Sequence, residues 1–438
     1  MLRRAGISRH RLFAALVMLV GICACARAAS PSDVHPLIAY VQAPDASYAW
    51  SKEGERKLPS GGTCVRVNMT SQTWQGIPWK HELDIIRPKK VRYPATMLMF
   101  IAGGHADTDL VNAVGRAADA GGVPIAALFD IPNQPLFDGR NEDALIAYTF
   151  VRFLETGDKT WPLLYPMTKS AVRAMDTIQK IAADDWKSPV KGFVISGASK
   201  RGWTTWFTGA VDKRVVGIAP AVYDNLNLAA QMQQQTACYG KYSAMISDYT
   251  EKGLPQLLCT DEGKEFARMV DPYTLLDRLT MPKIILLGSN DPYWTLESAN
   301  LYYADLPGDK HIVYAPNAGH VYIQEPKIGD ALTAFTLTCA AGRELPKMTW
   351  DYADQPDGVQ LTLRPGKVSA VRVWTAASDT RDFRNAKWTD QRITGKKGEY
   401  AFTLPDPKNG FAAVFGEASY RGRTPFAQST TPRILQAK

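Results

Sequence analysis

The 438-residue sequence contains few cysteines and few histidines, six of each. It has no CxxC pair and no cluster of cysteine with histidine, and those spacings are typical of zinc sites. The sequence therefore predicts no metal site, and no other cofactor is expected. Because two of the cysteines lie within the first 25 residues, only four belong to the rest of the chain.

Long apolar runs are also missing beyond the N-terminus. The apolar run Leu12–Cys23 follows four arginines and is too short for a comfortable membrane span. Small residues come next, so residues 1–28 are predicted to be a secretory signal peptide, cleaved near Ala26 or Ala28. We expect the remainder to be exported to the periplasm or secreted, without an integral membrane span. A lipoprotein and an uncleaved N-terminal anchor are the alternatives.

The excess of basic residues is concentrated in that N-terminal segment. The formal net charge of the chain is +8, and residues 1–28 contribute five arginines and no acidic residue. Without them the charge is +3, and no patch combines basic and aromatic residues as nucleic-acid binding requires. A nucleic-acid partner is therefore not expected.

Short apolar segments alternate with helical ones from about Tyr93 onward. The apolar segments suit strands buried on both faces of a parallel sheet. Val172, Met175 and Ile178 recur at helical spacing and predict one of the intervening helices. The alternation predicts an α/β fold with a doubly wound, mostly parallel sheet over residues 29–345. The predicted strands are Thr96–Gly104, Val123–Asp130, Gly192–Gly197, Val215–Asp224, Lys283–Asp291 and His311–His320.

The segments on either side of this core have a different pattern. Residues 36–92 show partial alternation and turn residues, which predict an antiparallel lead-in to the same sheet. Residues 346–438 contain short segments of period two, separated by turns rich in Asp, Gly, Pro and Asn. They predict a small all-β domain of the size of an immunoglobulin-like sandwich.

The three residue types of a hydrolytic triad follow predicted strands, in the chain order Ser199, Asp291, His320. A serine hydroxyl needs a base to take its proton, and an imidazole does this when a carboxylate fixes its tautomer. Ligands bind at the carboxyl ends of parallel strands, and α/β-hydrolases use this chain order. We predict Ser199 as nucleophile, His320 as base and Asp291 as orienting acid, with Asp224 as a rival acid. Taken singly, a capping serine, a loop acid and a surface histidine are ordinary.

The neighbours of the serine carry further predictions. Arg201 stands where a G-x-S-x-G motif has its second glycine. The N–H of Lys200 and one from Gly104 or His105 are predicted to form an oxyanion hole, although Gly103–Gly104 also suits an ordinary turn. Arg201 is predicted to bind a carboxylate or phosphate of the substrate, and a solvated or ion-paired arginine is the alternative.

Export would place the remaining cysteines in an oxidising compartment. Cys238 and Cys259 flank a polar loop and are predicted to form a disulfide. Cys339 lies at helical spacing from Ile328 and is predicted to be a free, packed thiol. Cys64 has no obvious partner.

Several longer segments are distinctive, namely "SGASKRGWTTWFTG", "MPKIILLGSNDPYW", "YAPNAGH", "NEDALIAYTF" and "WPLLYPMTKSAVRAMD". They resemble the PhoPQ-activated pathogenicity-related protein family, which includes PqaA-like bacterial proteins and the autocrine proliferation repressor proteins of amoebae. The resemblance covers most of residues 36–345. It implies an α/β-hydrolase fold with Ser199, Asp291 and His320 as the triad, and a link to virulence or envelope stress.

Together these patterns predict an exported serine hydrolase. We expect it to cleave an ester or a peptide bond of a small-molecule or peptide substrate, with water as the final acceptor. The alternative is a catalytically silent, secreted binding or signalling protein on a hydrolase scaffold. A Ser199 that is inert toward an activity probe favours this alternative.

Overall fold

The computed structural model describes residues 34–422 and 424–438. The predicted signal peptide, residues 1–28, lies outside the described residues. Residues Pro36–Lys438 form one compact unit, so the boundary between residues 345 and 346 stays a prediction. In the described ranges, no helix has both the length and the apolar character that a membrane span requires.

Nine strands form one sheet in the order β1-β2-β3-β5-β4-β6-β7-β8-β9. The pairs β1–β2, β2–β3 and β3–β5 are antiparallel, as predicted for the lead-in. The pairs from β5 across to β9 are parallel. The strands are β1 (Ala49–Lys57), β2 (Thr63–Trp74), β3 (Ile77–Arg87), β4 (Thr96–Ile101), β5 (Ile125–Leu128), β6 (Gly192–Ala198), β7 (Val215–Ala221), β8 (Lys283–Gly288) and β9 (Lys310–Ala315).

All six strands predicted for the core are present. Most end earlier than predicted, because the chain leaves the sheet at glycines and polar residues and forms loops at its carboxyl edge. β4 ends before Gly103, and β8 ends before Asp291. The mostly parallel sheet, with a strand–turn–helix around Ser199, is the α/β-hydrolase fold.

Helices cover both faces of the sheet, and the strands alternate between two cores. Met97 and Met99 on β4 belong to one core, whereas Leu98 between them belongs to the other. This alternation follows from the period of two along a strand. The helices are α1 (Pro36–Gln42), α2 (Thr108–Gly121), α3 (Glu142–Thr156), α4 (Leu164–Asp184), α5 (Lys200–Val211), α6 (Leu228–Tyr239), α7 (Ser247–Thr250), α8 (Leu254–Leu258), α9 (Gly263–Val270) and α10 (Pro326–Ala340).

The C-terminal residues form two antiparallel sheets, one of order β10-β11-β14 and one of order β13-β12-β15-β16 with β17 also paired to β15. Val359 and Leu361 of one sheet share a buried core with Val371 and Val373 of the other. The all-β prediction for this part of the chain is therefore confirmed. The strands are β10 (Thr349–Gln355), β11 (Gly358–Arg364), β12 (Ala370–Ser378), β13 (Thr389–Ile393), β14 (Tyr400–Pro405), β15 (Phe411–Tyr420), β16 (Phe426–Ser429) and β17 (Arg433–Gln436).

Candidate active site

Ser199 lies on a sharp turn between β6 and α5. Its backbone angles are φ 57° and ψ −126°, a conformation that non-glycine residues rarely adopt and that is found at functional sites. The turn is tight: a Cβ at Gly197 would lie 2.7 Å from the Arg201 carbonyl oxygen, and one at Gly202 would lie 2.8 Å from that of Ala221. Gly202 therefore meets the steric need for a small residue one position later than in G-x-S-x-G.

His320 and Asp291 meet at the same edge of the sheet. Nδ1 of His320 lies 2.8 Å from Oδ2 of Asp291. The other oxygen of Asp291 accepts the N–H of Tyr293 at 2.9 Å, and the Tyr293 ring packs against the imidazole at 4.4 Å between centroids. Nε2 of His320 is buried and hydrogen-bonds to none of the described residues. It therefore makes no hydrogen bond to Ser199, a contact that is often long in hydrolases without bound substrate.

Asp224, the rival acid, has a different partner. It is buried and accepts a hydrogen bond of 2.7 Å from the Tyr302 hydroxyl. Burial raises the pKa of Asp224 to about 7, since the bond from Tyr302 only partly offsets desolvation. Of the two acids, Asp291 contacts the His320 imidazole and Asp224 contacts Tyr302.

The predicted oxyanion residues lie on two elements. Lys200 is the first residue of α5, where backbone N–H groups have no acceptor within the helix. Gly104 has φ 71° and its carbonyl accepts the N–H of Asp130 at 2.9 Å. Nδ1 of His105 lies 2.8 Å from Oδ1 of Asp130 and the side chain is 86% exposed, so only the backbone of His105 suits the predicted role.

Arg201 is engaged within the protein, as in the ion-paired alternative. Its guanidinium donates to both oxygens of Glu142 at 2.7 and 2.6 Å and to the Ile131 carbonyl at 2.5 Å. Nζ of Lys200 lies 2.7 Å from the same carboxylate. These contacts occupy the guanidinium on three sides, which leaves no bidentate face for the predicted substrate anion.

Glu142 is thus the anionic centre of a cationic neighbourhood. Burial by itself would raise the pKa of Glu142, but the hydrogen bonds and charge of Arg201, with the charge of Lys200, lower it to about 2. The Glu142 carboxylate is ionised near pH 7. It therefore holds both cations that flank the serine turn.

The predicted disulfide is wrong. Cys238 and Cys259 are both free thiols in the structure. Sγ of Cys259 contacts the Ala229 carbonyl at 3.9 Å, whereas Cys238 lies nine residues further along the same helix, α6. Nine residues of helix span roughly 13 Å, well beyond the reach of a disulfide. Cys64 and Cys339 are free as well.

No group of three or more His, Cys, Asp or Glu side chains in residues 34–422 and 424–438 is close enough to hold a metal ion.

A family model described as PhoPQ-activated pathogenicity-related protein matches residues 37–384. The chain belongs to this family. Autocrine proliferation repressor protein A of Dictyostelium discoideum is 32% identical to it over 425 residues, which cover 88% of this chain and 86% of the relative.

Solved structures similar to this member of the PhoPQ-activated pathogenicity-related protein family are more distant in sequence. An acetyl xylan esterase from a Thermoanaerobacterium species is 14% identical, with a TM-score of 0.44, and the match covers 69% of this chain and 91% of that one. An S-formylglutathione hydrolase from Agrobacterium tumefaciens is 15% identical, with a TM-score of 0.45, and the match covers 65% and 98%.

Two residues of the site, Glu142 and Tyr293, were not predicted from the sequence of this family member. Glu142 begins α3, 59 residues before Arg201, and no local pattern connects them. Tyr293 packs on the imidazole. Both lie within segments that carry the family resemblance, "NEDALIAYTF" and "LLGSNDPYW", and that resemblance was the one available signal.

Proposed function

We propose that this protein is a serine hydrolase that cleaves an ester or peptide bond with Ser199, His320 and Asp291. The observation that carries the proposal is the 2.8 Å contact between His320 and Asp291. It lies at the same sheet edge as the strained turn that presents Ser199. A chain that only needed a helix cap at residue 199 would gain nothing from this strain.

The first half of the proposed reaction transfers the acyl group to the enzyme. Oγ of Ser199 attacks the substrate carbonyl carbon while Nε2 of His320 takes the hydroxyl proton. Asp291 holds Nδ1–H and stabilises the imidazolium. Negative charge develops on the carbonyl oxygen and is met by the N–H of Lys200 and one from the loop that contains Gly104. The imidazolium then gives its proton to the leaving oxygen or nitrogen as that bond breaks.

The second half regenerates the serine. A water molecule replaces the leaving group, and Nε2 of His320 takes its proton as the water oxygen attacks the acyl carbon. The tetrahedral intermediate collapses, the bond to Oγ breaks, and the proton returns to Ser199. No net change occurs in the enzyme.

The two bond types are distinguished by a matched substrate set. Purified protein is assayed with p-nitrophenyl esters and with aminoacyl p-nitroanilides, alongside Ser199→Ala. We expect release of p-nitrophenol that falls by roughly 10³-fold or more in the variant. Release of p-nitroaniline assigns a peptidase instead, and equal rates with and without Ser199 contradict the proposal.

Export is part of the proposal and rests on the pattern of residues 1–28. Mass spectrometry of the protein from its native host should find an N-terminus between about residues 27 and 30. A product that retains Met1 contradicts export by cleavage. The link to virulence or envelope stress rests on the family resemblance, and we propose it on that ground only.

A further inference from the structure

Two cavities of unequal volume adjoin Ser199. The smaller has a volume of about 60 Å³, and Ser199, Lys200 and Trp203 are among its lining residues. The larger has a volume of about 410 Å³ and is lined in part by Gly103 and Arg201. A substrate bond placed at Ser199 would therefore have a confined group on one side and a roomy one on the other.

The smaller cavity is lined by residues of the helices between β7 and β8. Met232 of α6, Leu258 of α8 and Phe266 of α9 line it and are buried. Across from them Trp203 stacks on Tyr223 with ring centroids 5.0 Å apart. A water molecule occupies about 30 Å³ of liquid, and an apolar cavity of about 150 Å³ takes benzene. The smaller cavity is therefore matched to a group of two or three heavy atoms.

The larger cavity reaches the protein surface. Leu110 and Gln324, at its edge, are exposed. A leaving group has to depart before water can attack, whereas the acyl group stays bonded to Ser199 until the second half of the reaction. The cavity with exposed residues at its edge suits the group that leaves, and the one lined by buried and half-buried residues suits the group that stays.

We propose that the smaller cavity binds the acyl group, which makes the substrate an ester or amide of a short acyl chain, acetyl to propionyl, with a larger leaving group. This proposal rests on the proposed function. Burial of the acyl methyl or ethyl group against aromatic and aliphatic side chains supplies the binding energy. A longer chain has no room until the cavity wall moves.

The test is an acyl-length profile with one leaving group. p-Nitrophenyl acetate, propionate, butyrate and octanoate are compared on the full chain and on Met232→Ala. We expect kcat/KM to be highest for acetate or propionate and at least about tenfold lower for octanoate. Met232→Ala should move the maximum to butyrate or beyond. Met175 on α4 lines neither cavity, so the control variant Met175→Ala should leave the profile unchanged.

The outcomes separate the two proposals. Turnover that depends on Ser199 but rises to octanoate overturns the acyl assignment and leaves the hydrolase proposal standing. A maximum that Met232→Ala does not move overturns it too. No Ser199-dependent turnover of any ester overturns both. If Met232→Ala does not fold, Phe266→Leu enlarges the same cavity by a smaller step and takes its place.

An independent set of contacts concerns residues 383–388, between β12 and β13. Nδ2 of Asn290, directly before Asp291, donates to the carbonyls of Arg384 and Ala386 at 3.1 and 2.7 Å. The all-β part of the chain thus holds the loop that carries the orienting carboxylate.

The same segment holds the loop that carries the base. The side chain of Asn317, three residues before His320, accepts the N–H of Trp388 at 2.7 Å and donates to its carbonyl at 3.0 Å. The Trp388 ring is buried and lies 4.9 Å from Phe415. Oγ of Ser289 accepts the N–H of Asn317 at 2.9 Å, which ties the two loops to each other.

We infer that residues 383–388 position the Asp291–His320 pair, so the C-terminal sheets serve catalysis without touching substrate. This inference also rests on the proposed function. Displacement of a catalytic group by about 1 Å can lower the rate about 100-fold. Because residues 383–388 hydrogen-bond to both loops, they keep Asp291 and His320 in a fixed position relative to each other.

Asn317→Gly is the sharpest variant, because Asn317 has φ 60° and glycine keeps this conformation while removing the amide. We expect kcat to fall about tenfold or more with KM changed less than about twofold. The downfield NMR signal of the His320 Nδ1 proton should broaden or disappear, a readout that does not require turnover. Val359→Ala, in the core between the C-terminal sheets, should lower stability but keep both properties.

An unchanged kcat and an unchanged Nδ1 proton signal in a folded Asn317→Gly protein overturn the positioning role. If no variant hydrolyses any ester but the Nδ1 proton signal of the wild type is lost in Asn317→Gly, the positioning of the Asp291–His320 pair stands and the hydrolase proposal is overturned instead.

Discussion

The carboxylate of Glu142 binds the guanidinium of Arg201 through two hydrogen bonds of 2.7 and 2.6 Å. Arg201 also abuts Gly103, where any side chain would overlap the guanidinium. The pair therefore contacts both the serine turn and the Gly103–Gly104 turn, from which the proposed oxyanion donor comes. These contacts favour a role in holding the two turns over the binding of a substrate anion.

Replacing Arg201 with lysine separates these two roles. Lysine cannot reproduce the bidentate contact with Glu142, so turnover should fall about tenfold for neutral and anionic esters alike, and the unfolding free energy should fall by about 1–3 kcal/mol. Steady-state kinetics with a neutral ester and its carboxylated analogue check this. A rise in KM confined to the carboxylated ester would restore the substrate-binding role.

The two acids near the site should respond differently to loss of charge. Asp291→Asn should lower kcat by roughly 10⁴-fold, because an amide no longer fixes the imidazole tautomer. Asp224→Asn keeps the size of a side chain that bonds to Tyr302, so kcat should fall less than about tenfold. Kinetics of both variants with one ester test this, and an Asp224→Asn variant as impaired as Asp291→Asn contradicts the assignment.

Much of the fold was predictable because it depends on short-range pattern. Residues 218–221 and 284–287 are apolar and buried throughout, and strands buried on both faces need that composition. The strand ends were placed too far along, since β8 was extended through Asn290 and Asp291 whereas the chain leaves the sheet after Gly288.

The candidate site was predictable only where the topology fixes it. Ser199, Asp291 and His320 follow β6, β8 and β9 in the parallel part of one sheet, so their position at one edge of that sheet follows from the strand order. The pairing of Arg201 with Glu142 depends on contacts between distant elements and has no local signature. The Cys238–Cys259 disulfide was wrongly predicted because the two cysteines are close in sequence. Closeness in sequence does not bring the two thiols together in the fold, since Cys259 contacts the opposite end of the helix that carries Cys238.

The buried imidazole of His81 predicts a pH dependence of stability. Burial lowers the pKa of His81 from its usual 6.5 to about 4, although its Nδ1 faces the carbonyls of Phe129 and Asp130. Between these values the unfolded chain binds the proton and the folded protein does not. Stability contributed by the neutral imidazole is therefore present above pH 6.5 and is lost as the pH falls toward 4.

Urea unfolding of the wild type and of His81→Gln from pH 7.5 to 4 measures this contribution. The unfolding free energies of the two proteins should approach each other as the pH falls from 6.5 to 4, by up to about 1.4 kcal/mol for each pH unit. Parallel curves would show that His81 titrates alike in the folded and unfolded states.

The most direct test of the central claim is covalent labelling of the serine. Purified protein is treated with a fluorophosphonate, digested, and the adduct mapped by mass spectrometry, with Ser199→Ala and His320→Ala as controls. The account predicts one adduct, on Ser199, that is absent from Ser199→Ala and forms several orders of magnitude more slowly in His320→Ala. No adduct on Ser199 in the folded protein, or equally fast labelling without His320, would contradict the account and favour a silent binding or signalling protein.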